Sequence, residues 1–160
     1  MRFEIGQIFE RSPELTSKLK IVTQPGDTPE IIVRKARDIL GGLREAELVG
    51  TLNAHPRIGD DVRALSELAL KEQGADRDPG TIAELARLND AYEKRFGFRF
   101  VVFVNGRSKS QIIPVLRDRL SRTRESELRT GVEEFLAISL DRLQRRADRD
   151  IIRSAMDVDS

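Results

Sequence analysis

A single run in this chain, Phe98-Arg-Phe-Val-Val-Phe-Val104, has the branched and aromatic composition of a β-strand, and no second run is evident to pair with it. A lone strand leaves its own N–H and C=O groups without a ladder, so no sheet is expected. These residues are therefore predicted to form a short, buried extended segment. Elsewhere the apolar residues recur at helical spacing. The expected fold class is all-α: one multi-helix domain over residues 1–160, broken by that segment near Phe98–Val104.

The helix boundaries can be read from start and stop residues. Phe3 to Leu19 is expected to hold one or two short helices broken at Ser12-Pro13, with Ser12 as N-cap and Pro13 in the first helical position. Gln24-Pro-Gly-Asp27 reads as a turn. Thr28-Pro29 opens a helix predicted to run to about Val49, with Ile32, Ala36, Ile39, Leu40 and Leu43 as its apolar residues and Gly41-Gly42 as a weak point inside it. Asp60 or Asp61 is expected to cap a helix ending near Gly74. Thr81 and Glu84 have capping-box spacing and precede Leu85, Leu88, Tyr92 and Phe96, with Gly97 as the stop. After the Asn105-Gly106 turn, Ser108 caps a helix carrying Ile112, Ile113, Leu116 and Leu120. A long final helix is predicted from Arg124 to Arg149, with a short extra turn around Ile151 and Ile152.

Composition narrows the chemistry. Lys and Arg number 28 against 27 Asp and Glu, a net charge of +1, so nothing points to nucleic acid or an anionic membrane. There is no cysteine and only one histidine, which rules out disulfides and cysteine nucleophiles and leaves no ordinary zinc ligand set. No apolar run approaches the length of a membrane span, the N-terminus lacks a signal-peptide core, and the C-terminus lacks a peroxisomal address. The expected location is the cytoplasm.

Three features do not follow from core formation. His55, the only histidine, precedes Pro56, which pushes it out of helical geometry to a helix end or tight connection. It reads either as a cap bonded to backbone or as a proton carrier, since its ordinary pKa lies near neutrality. Glu72-Gln73 closes a predicted helix, where a carboxylate opposes the macrodipole; the plain alternative is a solvated surface Glu. Arg142 lies among Leu136, Leu140 and Leu143 on the last helix, where an arginine either snorkels to solvent, pairs with an acid, or serves a site.

Taken together, His55-Pro-Arg-Ile-Gly59, Glu72-Gln73, Leu88-Asn-Asp-Ala-Tyr92, Arg95-Phe-Gly-Phe98 and Asp141-Arg-Leu143 resemble the 2-oxo-4-hydroxy-4-carboxy-5-ureidoimidazoline (OHCU) decarboxylases. The resemblance runs from about Ile8 to Leu143. It implies a homodimeric, cofactor-free carboxy-lyase of urate breakdown that converts OHCU to (S)-allantoin and CO₂, with no metal. It also implies a catalytic role for His55, Glu72 and Arg142. Substrate contacts are implied for Pro56, Glu72, Gln73, position 69 and the extended run Phe100, Val101, Val102, Phe103 and Val104.

The chain departs from the family pattern at several places. Ala69 replaces a usual serine, which leaves Ser66 as a possible stand-in; Arg99 replaces a usual proline; Glu14 replaces an aromatic; and the helix before Ile8 is expected to be short or missing. The competing readings are a non-catalytic member binding a ureide or purine-derived ligand, and a helical adaptor, which would leave the histidine, Glu-Gln and arginine constellation unexplained.

Overall fold

The computed structural model describes residues 5–9, 12–58 and 78–158. Among these the chain forms seven helices and no strand: α1 (Ile5–Ile8), α2 (Pro13–Val22), α3 (Pro29–Gly41), α4 (Glu45–Asn53), α5 (Pro79–Phe96), α6 (Lys109–Leu120) and α7 (Arg124–Val158). The all-α expectation is met. The predicted helix between Asp60 and Gly74 lies outside the described residues.

Most boundaries fall where cap chemistry puts them. Thr28 Oγ1 accepts from the Ile31 amide at 3.2 Å with Pro29 in the first turn. Ser108 and Gln111 form a reciprocal capping box at the start of α6. Gly97 ends α5 in the left-handed region, φ 81°, where a side chain would be strained. The Gln24–Asp27 turn closes with a 3.1 Å backbone bond.

Three boundaries differ from expectation. The helix predicted to continue to Val49 stops at Gly41 and a new one begins at Glu45, because the Gly41-Gly42 pair ends the first helix rather than kinking it. The cap of α5 is Asp78, not Thr81: its carboxylate accepts from both the Thr81 amide and the Thr81 hydroxyl at 2.9 Å. A charged acceptor at the positive end of a helix outcompetes a hydroxyl there, and Pro79 suits the first position. The final helix runs without interruption to Val158, so the separate turn around Ile151 is part of α7.

Packing gathers one apolar core. α3 and α4 both lie on α7, α2 covers α3, and α5 packs on α6. α4 approaches α7 at Gly131, where an added Cβ would come 3.0 Å from Leu52 Cδ1, so a larger residue there requires the leucine side chain to shift. Phe9, Leu15, Leu19, Ile32, Leu40, Leu52, Phe135 and Leu143 are all buried in this core, and so are Leu85, Tyr92 and Leu116. Residues 98–104 run extended between α5 and α6, with Phe98, Phe100, Val101, Val102 and Val104 buried. Both faces of this run are therefore covered. Tyr92 sits among Phe96, Phe98 and Phe100, with ring centroids 4.7, 6.0 and 5.3 Å away.

A buried polar network anchors the extended run. Glu127 Oε1 accepts from Tyr92 Oη and from Arg119 Nε, both at 2.7 Å. Arg119 Nη1 donates to the carbonyl of Val101 at 2.7 Å, and its guanidinium lies 4.5 Å from the Phe100 ring centre. Farther along, Arg107 donates to the carbonyls of Phe103 and Val104. Arginine side chains thus take over part of what a neighbouring strand would supply.

Candidate active site

The His55 segment leaves α4 at Ala54 and is held at almost every residue. The His55 amide donates to the Leu52 carbonyl at 3.1 Å, the usual closing bond at a helix end. Arg57 pairs with Asp90 at 2.6 Å and Glu93 at 3.0 Å, both on α5. The carbonyl of Ile58 accepts from the buried amide of Asn89 at 3.1 Å. Asn89 and Asp90 belong to the Leu88–Tyr92 block, so one face of that block clamps the His55 loop while Tyr92 serves the core. Arg99, the first polar residue of the extended run, donates its Nη1 to the His55 carbonyl at 3.1 Å.

The imidazole itself is half-buried, but its Nδ1 atom is sealed from solvent and has no hydrogen-bond partner among the described residues. Burial pushes the pKa down to about 3, and the positive charges of Arg142 and Arg99 push the same way. His55 is accordingly neutral at pH 7. Among the described residues, a cap bonded through Nδ1 finds no partner.

Arg142 does not snorkel. It is 2% exposed, and its Nη1 donates to the carbonyl of Ile8 at 3.0 Å, which ties α7 to the end of α1. Its charge falls on His55. Two of the three predicted catalytic residues, His55 and Arg142, from opposite halves of the chain, are thus electrostatically coupled. Pro56 follows in the same loop, half-buried. Ala69, Glu72 and Gln73 lie outside the described residues.

Phe100 to Val104 form the predicted unpaired run, and Arg99 places its start beside His55. Among the described residues none of their N–H groups donates to a backbone carbonyl. Such amides are the kind of group that reads a polar, amide-rich ligand.

Several contributors were not singled out from sequence. Arg99 registered only as a departure from a pattern, Arg57 and Asn89 stood in the motifs of the resemblance without a role of their own, and Arg119 read as an ordinary polar residue. The one available hint was the density of arginines flanking apolar runs. Among the described residues no group of three His, Cys, Asp or Glu stands close enough to hold a metal. A cavity of about 340 Å³ between α3, α4 and α7, lined by Leu40, Leu48, Leu128 and Val132 with Arg37 and Glu133 at its edge, contains none of the predicted site residues. Its walls are too apolar for a ureide.

The class these features define is an all-α protein with a neutral histidine at a helix end, set under the charges of two arginines. The chain belongs to the OHCU decarboxylase family: the family's sequence profile matches residues 2–144. It is 26% identical over 144 residues to the 2-oxo-4-hydroxy-4-carboxy-5-ureidoimidazoline decarboxylase of Haloferax volcanii, covering 88% of this chain and 85% of that one. It is also 26% identical over 143 residues to the uric acid degradation bifunctional protein of Bacillus sp. strain TB-90, of which it spans only 28%. A crystal structure of OHCU decarboxylase in the presence of (S)-allantoin shares the fold, with a TM-score of 0.71 at 23% identity over 88% of this chain and 94% of that one.

Proposed function

We propose that this chain catalyses the cofactor-free decarboxylation of OHCU to (S)-allantoin and CO₂ in urate degradation. The observation that carries the reading is the convergence of His55 and Arg142. A neutral imidazole stands within the fields of the Arg142 and Arg99 guanidiniums.

The chemistry asks little of the protein beyond placement. OHCU carries its carboxylate on a carbon next to a C=N unit, so the electron pair left by CO₂ is delocalised within the substrate. The enzyme must hold the carboxylate out of the conjugated plane, stabilise the enamine-like intermediate and protonate one face. His55 starts neutral and so acts first as acceptor, taking the proton of the 4-hydroxyl. A bound carboxylate offsets the arginine charges and raises the imidazole pKa towards the range where it carries a proton. The same proton then goes to C5, the ureido-bearing carbon, as the C4 oxygen becomes the carbonyl, which sets the configuration, while the nitrogen that received the C=N electron pair takes a second proton from solvent. Arg142 offsets the developing negative charge. Glu72 and Gln73 orient the ureido and ring nitrogens, with Pro56, position 69 and the backbone of Phe100–Val104 as the remaining contacts.

In this reading the enzyme is a single-domain, cytoplasmic homodimer. The experiment is to generate OHCU in situ and follow its decay and the chirality of the allantoin by circular dichroism, with and without the protein. Accelerated loss of OHCU giving only the (S) product is expected. An unchanged decay rate, with saturable binding of allantoin, would instead identify a ureide-binding member that has lost the chemistry.

A further inference from the structure

Arg99 makes two bonds that the proline usual at its position could not make. Its backbone N–H donates to Asn53 Oδ1 at 2.9 Å, and its Nη1 donates to the carbonyl of His55 at 3.1 Å. Proline has neither an amide hydrogen nor a side-chain donor. Both acceptors lie in the three residues, Asn53 to His55, that end α4 and lead into Pro56. One residue of the extended run therefore grips the turn carrying the histidine at two points.

That grip matters because the imidazole has little support of its own. Its Nδ1 meets no partner among the described residues, so no hydrogen bond from them to that nitrogen fixes the ring. The His55 backbone has two ties: its amide to Leu52, local to the helix, and its carbonyl to Arg99, 44 positions away in sequence. Only the second sets the loop relative to the run of residues 100–104. The Arg99 guanidinium goes to a carbonyl rather than to a carboxylate, so its charge is not cancelled by this bond.

We propose that Arg99 is a positioning residue that fixes His55 through the Asn53 and His55 bonds and keeps a positive charge beside the imidazole. Its catalytic consequence rests on the function proposed above; the clamp itself does not. Among the described residues the charged groups acting on the imidazole are Arg99 from the extended run and Arg142 from α7, while Arg57 in the same loop is paired with Asp90 and Glu93.

The test compares R99Q, R99K and N53A, each first shown by circular dichroism to keep its helices. Because the chain has one histidine, a single imidazole signal in a carbon–proton NMR spectrum reports its protonation without ambiguity. R99Q should leave the imidazole several-fold more protonated than the parent protein at pH 4.5, since a cation has gone. R99K and N53A keep a cation and should match the parent there. In turnover of OHCU, R99Q should lower kcat on the order of ten- to a hundredfold, the size of effect expected from misplacing a catalytic group. KM should rise by less than kcat falls. N53A should lower kcat less, and R99K should recover part of the R99Q loss. An R99Q imidazole that protonates like the parent overturns the proposal, whatever the chain does to OHCU. So does an R99Q kcat equal to that of an active parent. If the parent turns over no OHCU while R99Q shifts the imidazole, the function fails and the placement of the Arg99 charge beside His55 stands.

Discussion

Arg119 and Arg142 are buried to the same degree, each 2% exposed, yet they face different things. Arg119 meets the buried carboxylate of Glu127 at 2.7 Å, donates to the Val101 carbonyl and lies over Phe100. Its charge is answered inside the fold, and the result is a cross-link between α6, α7 and the extended run. Arg142 donates to the Ile8 carbonyl, and its charge acts on the imidazole of His55. Burial alone does not separate a structural arginine from a functional one. The group that receives the charge does.

The largest expected effect belongs to the group receiving Arg142's field. His55→Asn should lower decarboxylation by about 10²–10⁴-fold, the range of general acid–base catalysis, with the thermal melt unchanged. A variant that keeps its rate, or that loses its helices, would place His55 on the structural side of the comparison.

The comparison itself is tested by truncating each arginine. Arg119→Met strands Glu127 in the core and should cost about 3–5 kcal/mol in urea unfolding. The rate per folded molecule should fall far less. Adding Glu127→Gln should recover much of that stability, since the stranded charge is the main penalty. Arg142→Met should show the reverse balance, losing activity beyond what its stability loss explains. Equal losses in both properties for both variants would erase the distinction.

Glu72 extends the same logic to a carboxylate outside the described residues. If it reads substrate N–H groups, Glu72→Gln loses charge-assisted bonds worth about 1.5–3 kcal/mol. That corresponds to a fall in kcat/KM on the order of ten- to a hundredfold or more. Calorimetric affinity for an allantoin analogue should weaken as well, because the contact exists before and after CO₂ leaves; His55→Asn should bind the analogue nearly normally. Unchanged affinity in Glu72→Gln would return that residue to the solvated surface.

The most gradual effect, spread over several pH units, concerns acid stability. The folded state holds the His55 pKa at about 3 against 6.5 for the ordinary side chain, so between these values the unfolded chain binds a proton that the native state refuses. Stability from this group is complete above about pH 6.5 and is lost as pH falls towards 3, with a limiting slope of about 1.4 kcal/mol per pH unit. Asp27, Glu47, Asp78 and Glu84 also have depressed pKa values, so the slope is read as the difference between the parent and His55→Gln. A flat difference across pH 4–7 would mean that the fold does not hold His55 neutral.

The sequence by itself determined the elements. The Thr28-Pro29 and Ser108 starts, the Gly97 stop and the lone β-like run are local signals whose energies depend on residues a few positions apart, and each appears where the pattern put it. The family was legible for a related reason, since ordered motifs survive in sequence without any knowledge of their contacts. Tertiary structure decided which polar residues matter and how. Arg142 and Ile8 are 134 positions apart, Arg99 and Asn53 are 46, and Glu127 and Tyr92 are 35. No local propensity distinguishes these arginines from those on the surface. Even the choice of Asp78 over Thr81 as cap turned on a competition between two acceptors for one helix end. An imidazole kept neutral requires burial and cations brought from distant segments, and only the folded chain supplies both.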